Sequence, residues 1–379
     1  LRLVGSEMCI RDSIWTRSTS EGATNGVAGA VTVLVLDNES TATVKGSAQL
    51  NQDVDWRDPV KNPHVNNGVP AEPGGSTNIN EQTVDVSATV TIQLLTLTGI
   101  FDWAATLGEL GYTTINIDPD FSLSPVGSSG SKGGVGGAIG IFVVTNSAEA
   151  VIEDGVAVYS ASDGALRVKA AEVVLMITIA QAGGSGGTFA VNGTFIYVGQ
   201  TSDILAQIED GVQIDTNDLT VYAGSLTTGI SWAGSITSSG QKAIGVSGAV
   251  NNIDRTVQAV VGALIPSYGG SAFDPLENPV PPTAPMGAGI NASGSVMIRA
   301  LNDGQLYTFA IAGSATGGSS GDEEKEGTDD PLDGVSLPIL FGDIAPERGP
   351  PAKGSGLGIA GAVGITIIND STLAYIATT

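Results

Sequence analysis

One pattern recurs five times in this sequence: an apolar run ends in a polar turn, and the chain resumes with alanine, one further residue and then a β-branched residue. Its alanines are Ala42, Ala150, Ala206, Ala259 and Ala374. Subtracting successive alanine numbers gives 108, 56, 53 and 115, so the shortest spacing is near 54 and the others are near twice that. A period of this size indicates a repeat architecture, in which each unit stacks on its neighbours. Such a chain is more typical of a surface or spacer than of a catalyst.

A second motif supports the same spacing. The pattern apolar-x-apolar-x-Ala begins at Val84, Leu166, Leu219 and Val296. The sequence IEDGV at 152–156 also recurs at 208–212. Its Asp-Gly pair predicts a tight turn, because glycine adopts the positive φ that such turns need. Asn146 and Ser147 are interpreted as a further turn between two strands.

Composition favours a β structure. The chain contains 53 glycines with abundant Val, Ile, Thr and Ser, and aromatic residues make up only 5%. A core without many aromatic side chains suits narrow, regular stacks. We therefore predict an all-β fold, an elongated parallel β-helix (β-solenoid) built from repeats of about 54 residues. Residues 31–36 (VTVLVL) and 173–180 (VVLMITIA) are apolar on both faces of their predicted strands. Either a loop or a second sheet covers the outer face of these strands, or the architecture is instead a layered antiparallel arrangement.

Four segments interrupt the repeats: residues 55–82, 101–132, 264–286 and 316–353. They are rich in Pro, Gly, Asn, Asp and Glu. Insertions of this kind map to loops on the side of a repeat stack. We accordingly predict one repeat region over residues 14–379 with four loop insertions.

The first residues have a different character. Residues 3–13 (LVGSEMCIRDS) resemble a translated transposase-type sequencing adapter. Residues 1–13 are therefore interpreted as an adapter-derived artefact without a structural role. They include Cys9, the only cysteine, so the remaining chain has no disulfide or cysteine metal site.

The net charge of −24 restricts the classes of partner. Nucleic acids bind through Lys and Arg that displace counterions, and anionic membrane surfaces also attract basic segments. No apolar run approaches the roughly 20 residues of a membrane-spanning helix. We expect no nucleic-acid partner, no membrane insertion of this segment, and an extracellular or cell-surface location.

Calcium is the one metal for which the sequence offers candidate ligands, and no other cofactor is predicted. Calcium binds several hard oxygen ligands, which an acidic loop supplies. The spacing of an EF-hand is absent, however, so a solvated charged loop is the favoured explanation of the cluster. Asp118 and Asp120 have a weaker claim of the same kind. The acidic loop residues are Asp322, Glu323, Glu324, Glu326, Asp329 and Asp330.

No catalytic residues are predicted. The motif G-x-S-x-G, which can mark a nucleophilic serine, is matched by Gly183, Ser185 and Gly187. A nucleophile of this kind needs a turn from a strand into a helix and a histidine as base. No helix is predicted after Ser185, and the only histidine in the sequence is His64, in a loop rich in Pro and Asn. Hydrolysis of a glycosidic bond uses two carboxylates at a set separation. Asp154 and Asp210 occupy equivalent places in successive units, so stacking could bring them together as such a pair. Their turn role explains both. A β-helical carbohydrate-active enzyme, a polysaccharide lyase or hydrolase, stays as the alternative function.

The repeat unit, with its glycine-rich start, Ala-x-Ile, Asp-Gly and Leu-x-Val-x-Ala, resembles the repeats of leukotoxin-type filamentous adhesins, which are similar in style to filamentous haemagglutinin. The resemblance implies a β-solenoid shaft of a large bacterial surface or secreted protein that adheres to a host or environmental surface, glycan or protein. It implies no catalytic residues. A calcium-stabilised extracellular matrix protein is a further alternative. The resembling stretches are residues 26–48, 133–234, 244–263, 294–313 and 356–379.

Overall fold

The computed structural model describes residues 6–50, 83–99, 128–160, 164–264, 289–316 and 356–377. These residues form strands and turns and include no helix, hence none long and apolar enough to span a membrane. The strands belong to three sheets, which we call A, B and C.

Sheet A contains β1 (Glu7–Thr16), β2 (Ser20–Gly22), β5 (Val84–Gly99), β6 (Ser128–Gly130), β9 (Ala165–Gly186), β12 (Asp218–Ser239) and β15 (Val296–Thr316). Sheet B contains β3 (Asn25–Val44), β7 (Gly133–Ile152), β10 (Phe189–Ile208), β13 (Lys242–Val261) and β16 (Leu357–Ile376). Sheet C contains β4 (Gln49–Leu50), β8 (Ala157–Tyr159), β11 (Gln213–Thr216) and β14 (Gly289–Ala292).

The chain runs from sheet A to sheet B to sheet C and then returns to sheet A one coil higher. Strands β9, β10 and β11 form one such coil, and β12 begins the next by pairing in parallel with β9. Every strand pair among the described residues is parallel. The predicted parallel β-solenoid is confirmed, and the antiparallel alternative is wrong for this part of the chain.

The alanine motif marks one column of the stack. In sheet B, Ala150 pairs with Ala42 on one side and with Ala206 on the other. Ala259 in turn pairs with Ala206 and with Ala374. The spacings of 108 and 115 residues therefore each span a single coil with inserted residues, not two coils.

The second motif forms an equivalent column in sheet A. Leu166 pairs with Val84 and Leu219, and Leu219 pairs with Val296. The predicted insertions at 55–82, 264–286 and 316–353 lie almost wholly outside the described residues, as does most of 101–132. Within the last of these, residues 128–130 form strand β6.

The predicted turn at Asn146 and Ser147 is wrong. Strand β7 continues through both residues, and the Asn146 side chain is buried in the interior. The coils β9–β11 and β12–β14 thus each have two long strands and one short one. A 20-residue strand is about 66 Å long and five coils rise about 24 Å, so the strand direction is the longer one.

Residues 7–13, interpreted as an artefact without structure, lie in strand β1, which pairs with β5 from Glu7 to Thr16. An extended backbone of almost any sequence can add to a parallel edge, because the pairing uses main-chain groups. The adapter origin of residues 3–13 stays a prediction.

Acidic side chains connect successive coils at the turns. The Glu153 Oε2 atom accepts a hydrogen bond from the Gly46 N–H at 3.2 Å, and Glu209 Oε2 accepts one from the Asp154 N–H at 3.0 Å. Asp218 Oδ1 accepts both the N–H and the hydroxyl of Ser295, each at 2.8 Å. These two bonds from Ser295 are the main reason that the pKa of Asp218 lies below its ordinary value.

The Asp-Gly turns give a stability prediction. Gly155 and Gly211 have φ of 77° and 78°, a region that penalises L side chains. A Cβ at Gly155 would meet nothing closer than 3.6 Å, whereas one at Gly211 would lie 1.9 Å from Asp154 Oδ1. We expect Gly155→Ala to lower the free energy of unfolding by about 1 kcal/mol in urea denaturation, and Gly211→Ala to lower it further.

The same experiment includes its control. Adding Asp154→Ala to the Gly211→Ala variant removes the clashing carboxylate, so we expect the extra loss to disappear. Equal losses for the two single variants would contradict this account of the turn.

Asp218 gives a pH prediction. A carboxyl whose folded pKa is depressed stabilises the fold above its unfolded pKa of about 3.9, and that contribution is lost as pH falls through the folded value. Asp218→Asn keeps an acceptor oxygen without the charge. We expect the melting temperature of the wild type to exceed that of this variant at pH 7 and the difference to shrink below pH 4; a constant difference would contradict it.

Candidate functional site

Most of the predicted site residues lie outside the described residues. The acidic loop residues 322–330 fall there, as do Asp118, Asp120 and His64. Within the part of the chain that the structure describes, no group of three or more His, Cys, Asp or Glu side chains is placed to hold a metal ion. The calcium hypothesis for the acidic loop stays a prediction.

The structure places Ser185 and the two turn aspartates where backbone geometry explains them. Ser185 lies in strand β9, and the next element is strand β10, not the helix that a nucleophile elbow requires. Asp154 and Asp210 each precede the positive-φ glycine of a turn. The predicted turn role of the Asp-Gly pairs is confirmed.

The sequence did not single out Glu172, which is the one carboxylate fully buried between sheets A and B among the described residues. It is 1% exposed. Its Oε1 atom accepts hydrogen bonds from Asn146 Nδ2, from Ser202 Oγ at 2.7 Å and from Gln200 Nε2 at 3.4 Å. Its Oε2 atom accepts the Ser225 hydroxyl at 2.7 Å. Four donors on three strands thus surround this side chain.

The same level of the stack is polar in every coil of sheet B. Asn146 pairs in register with Asn38 and with Ser202, and Ser202 pairs with Arg255. Arg255, 5% exposed, binds both carboxylate oxygens of Asp370 at 2.9 and 2.7 Å. We call the set Asn38, Asn146, Ser202, Arg255 and Asp370, with Glu172 opposite, the polar row.

The polar row is interpreted as a contribution to the fold and not as a reactive site. A reactive site would have to be reached by a reactant. Glu172 is enclosed by its donors and by the two sheets. Buried polar groups of this kind must all be paired, since an unpaired one destabilises the fold.

The outward face of sheet B presents a different surface. In β3, the side chains of Val31, Val33 and Val35 are 59, 61 and 68% exposed. Exposed apolar side chains also project from each of the other four strands, among them Ile139, Phe195, Val246 and Val363. We call this surface the apolar face; it comprises Val27, Val31, Val33, Val35, Val135, Ile139, Val191, Phe195, Val246, Ile359, Val363, Ile365 and Ile367.

A shallow groove crosses the apolar face. Gly29, Gly137 and Gly193 pair in register, and a Cβ built on any of them would meet nothing closer than 3.6 Å. The groove has a volume of about 350 Å³ and is bounded by Phe195 and Val246 among others. The groove is therefore space left by absent side chains on a continuous sheet.

Acidic residues border the apolar face along the strand direction. Asp37 and Asp254 are exposed and belong to one column of register partners across the strands. Glu39 and Asp203 belong to the column two residues further along the strands, which faces the same side of the sheet. The outer surface of sheet B is thus largely apolar in the first half of its strands, and it carries polar and acidic side chains beyond that.

Some apolar side chains on the outer face of sheet A pack against one another and are less exposed than those of sheet B. Ile179 is 8% exposed and packs with Leu97 and Trp232. The Trp232 ring lies 5.4 Å from that of Phe309 in the next coil. The run at 173–180 is therefore partly packed, whereas the run at 31–36 stays exposed.

The buried carboxylate gives a stability prediction. Glu172→Gln replaces an acceptor with an amide that cannot accept from all four donors, so we expect the free energy of unfolding to fall by about 1–3 kcal/mol. Asp203→Asn makes the same change of charge at an exposed position and should change stability by less than about 0.5 kcal/mol. Equal effects in chemical denaturation would contradict the assigned contacts.

The comparisons complete the description of the chain. Comparison with protein-family models, with curated proteins and with solved structures finds no match to this sequence. The apolar face is therefore the feature on which a functional proposal rests.

Proposed function

We propose that this chain is a non-catalytic structural and adhesive segment of a large bacterial surface or secreted adhesin, located outside the cell or at its surface. The observation that carries the proposal is the apolar face: exposed Val, Ile and Phe side chains on five paired strands. Contiguous apolar surface of this kind marks a site of contact with another surface.

The strand pairing supports a role in contact. Residues of the apolar face project from a sheet whose backbone is hydrogen-bonded from coil to coil, so little conformational entropy is lost when the face binds. The partner that fits is an apolar surface of host or environmental material, with cationic groups facing the acidic border at Asp37 and Asp254.

The surface charge and the repeat pattern agree with this role. A net charge of −24 favours solubility and disfavours nucleic acid as a partner. The resemblance to filamentous adhesin repeats adds the expectation of a shaft that holds contact surfaces away from the cell. Together these observations favour adhesion over carbohydrate turnover.

The test is adsorption to octyl-coated silica beads compared with uncoated beads. We expect the wild type to adsorb to the octyl surface, and Ile139→Lys with Phe195→Lys to reduce adsorption at least several-fold, because two hydrated charges would have to be buried. Gly137→Val fills the groove while keeping the face apolar, and it should leave adsorption on this flat surface unchanged.

The matched control lies on the same two strands. Thr145 and Thr201 are exposed, pair in register as Ile139 and Phe195 do, and follow them by six residues. Thr145→Lys with Thr201→Lys therefore adds the same two charges outside the apolar face. Equal adsorption by the two double variants would overturn the proposal.

A further inference from the structure

Two neighbouring columns of the apolar face differ in side-chain size. In the first column four of the five register partners are glycine, and in the second four of the five are Val, Ile or Phe. We call these the glycine column and the bulky column. The glycine column is Gly29, Gly137, Gly193, Val246 and Gly361, and the bulky column, two residues further along each strand, is Val31, Ile139, Phe195, Gly248 and Val363.

Each strand of sheet B therefore has one glycine and one larger residue at this pair of positions. Strand β13 has them in the reverse order, with Val246 in the glycine column and Gly248 in the bulky column. A Cβ built on Gly361 would meet nothing within 4 Å, so the groove reopens beyond Val246. The space at Gly248 is narrower, because a Cβ there would lie 3.0 Å from the Phe195 ring.

The two columns are complementary to each other when two copies of the chain meet. A second copy can face the first across a two-fold axis that runs parallel to the columns and midway between them. Each strand then meets the same strand of the other copy, running in the opposite direction. Gly137 of one copy faces Ile139 of the other, and Val246 faces Gly248, because both copies contain the reversal in β13. A glycine meets a larger side chain in all five strands.

A two-fold axis parallel to the strands gives a poorer fit. In the central strand, β10, it would set Phe195 against Phe195 and Gly193 against Gly193, so ridge meets ridge. It would also bring the acidic column of Asp37 and Asp254 against the same column of the other copy, where like charges repel. With the axis along the columns, the two acidic columns lie at opposite edges of the contact, about 46 Å apart, where salt screens their repulsion.

The charges at the rim of the contact also favour the axis along the columns. Lys242 is exposed and is the one cationic residue at the outward positions of the five described strands of sheet B. In this arrangement it faces Asn252 of the other copy, and Asp254 lies two residues beyond. The two-fold axis places such an oppositely charged pair at each edge of the contact. Complementary charges of this kind fix the orientation of two partners.

The spacing and the size of the apolar face both indicate a second sheet of the same kind as the occupant. The open positions of the groove repeat at the separation of paired strands, about 4.8 Å, which is also the repeat of side chains along another stacked sheet. The bulky column of this chain has that repeat, and its interruption at Gly248 matches Val246. The face measures about 33 Å by 24 Å, or about 800 Å² per copy, which is the area that a stable interface of standard size covers.

We propose that two copies of this chain associate face to face through the apolar face, with the bulky column of each copy in the glycine column of the other. The contact is isologous, so it closes as a dimer. This inference rests on the proposed function, because it names the same face of a second copy as a partner of the adhesive surface.

The first test is sedimentation velocity of the full chain over a range of concentrations, with a reducing agent present because Cys9 is exposed. We expect a monomer–dimer equilibrium. Gly137→Val should raise the dissociation constant by about ten-fold or more, because the added side chain would overlap Ile139 of the other copy. In the monomer its Cβ meets nothing closer than 3.6 Å, so the fold is retained. Thr145→Val is the matched control: it introduces valine on the same strand outside the facing strands and should leave the dissociation constant unchanged.

A complementation test identifies the residues that face each other. Ile139→Gly leaves space opposite Gly137 and should weaken association on its own. In an equimolar mixture of Gly137→Val and Ile139→Gly, with one variant fluorescently labelled, the new valine faces the new glycine and the native Ile139 faces the native Gly137. We expect this mixed dimer to be tighter than the dimer of either variant alone. The double variant Gly137→Val, Ile139→Gly reproduces the order found in β13 and should dimerise as the wild type does.

A wild type that stays monomeric at every concentration would overturn the inference, whether a segment outside the described residues covers the face or nothing does. If that monomer still adsorbs to octyl-coated beads, the proposed function stands and the second copy is the wrong partner; if it does not adsorb, both are wrong. Association that Gly137→Val leaves unchanged would assign the contact to another surface. A mixture of the two single variants that is no tighter than either alone would rule out the two-fold axis along the columns.

Discussion

Parallel hydrogen bonding between successive coils is the constraint on which this structure depends. It sets each residue of a long strand opposite one residue in the coil above and one in the coil below. Since side chains alternate between the two faces, a choice made at one position is repeated through the stack. The interior column of alanines and the exposed columns of valine and isoleucine follow from the same pairing.

The polar row shows how one register is selected from several. A strand that slipped by two residues would keep its apolar residues inside, so burial alone does not exclude it. A slip of β7 would move Asn146 away from Glu172, and a slip of β10 would move Ser202 away, so the buried carboxylate would lose part of its hydrogen bonding. The loss of such contacts is expensive in an apolar interior, whereas aliphatic columns tolerate displacement. The polar row therefore supplies specificity that a purely aliphatic core lacks.

Much of the fold could be predicted from the sequence because stacking requires repetition. Ala42, Ala150 and Ala206 fall in one column, as their shared motif predicts. The turn expected at Asn146 was wrong because asparagine favours turns locally, and here its partners, Asn38 and Glu172, come from other strands. Glu172 carried no sequence signal that distinguishes it from an exposed glutamate. The exposed apolar face was visible only as the unexplained run at 31–36.

The number of residues between paired strands of successive coils differs greatly, yet the register of the sheets is the same in each case. Strands β3 and β7 pair over 108 residues of sequence with the same residue-to-residue alignment that β10 and β13 achieve over 53. The entropy of closing a longer connection rises only with the logarithm of its length, so the fold bears such additions easily. Connections at these corners can accordingly diverge, exchange or lengthen over evolution while the framework beneath them is preserved.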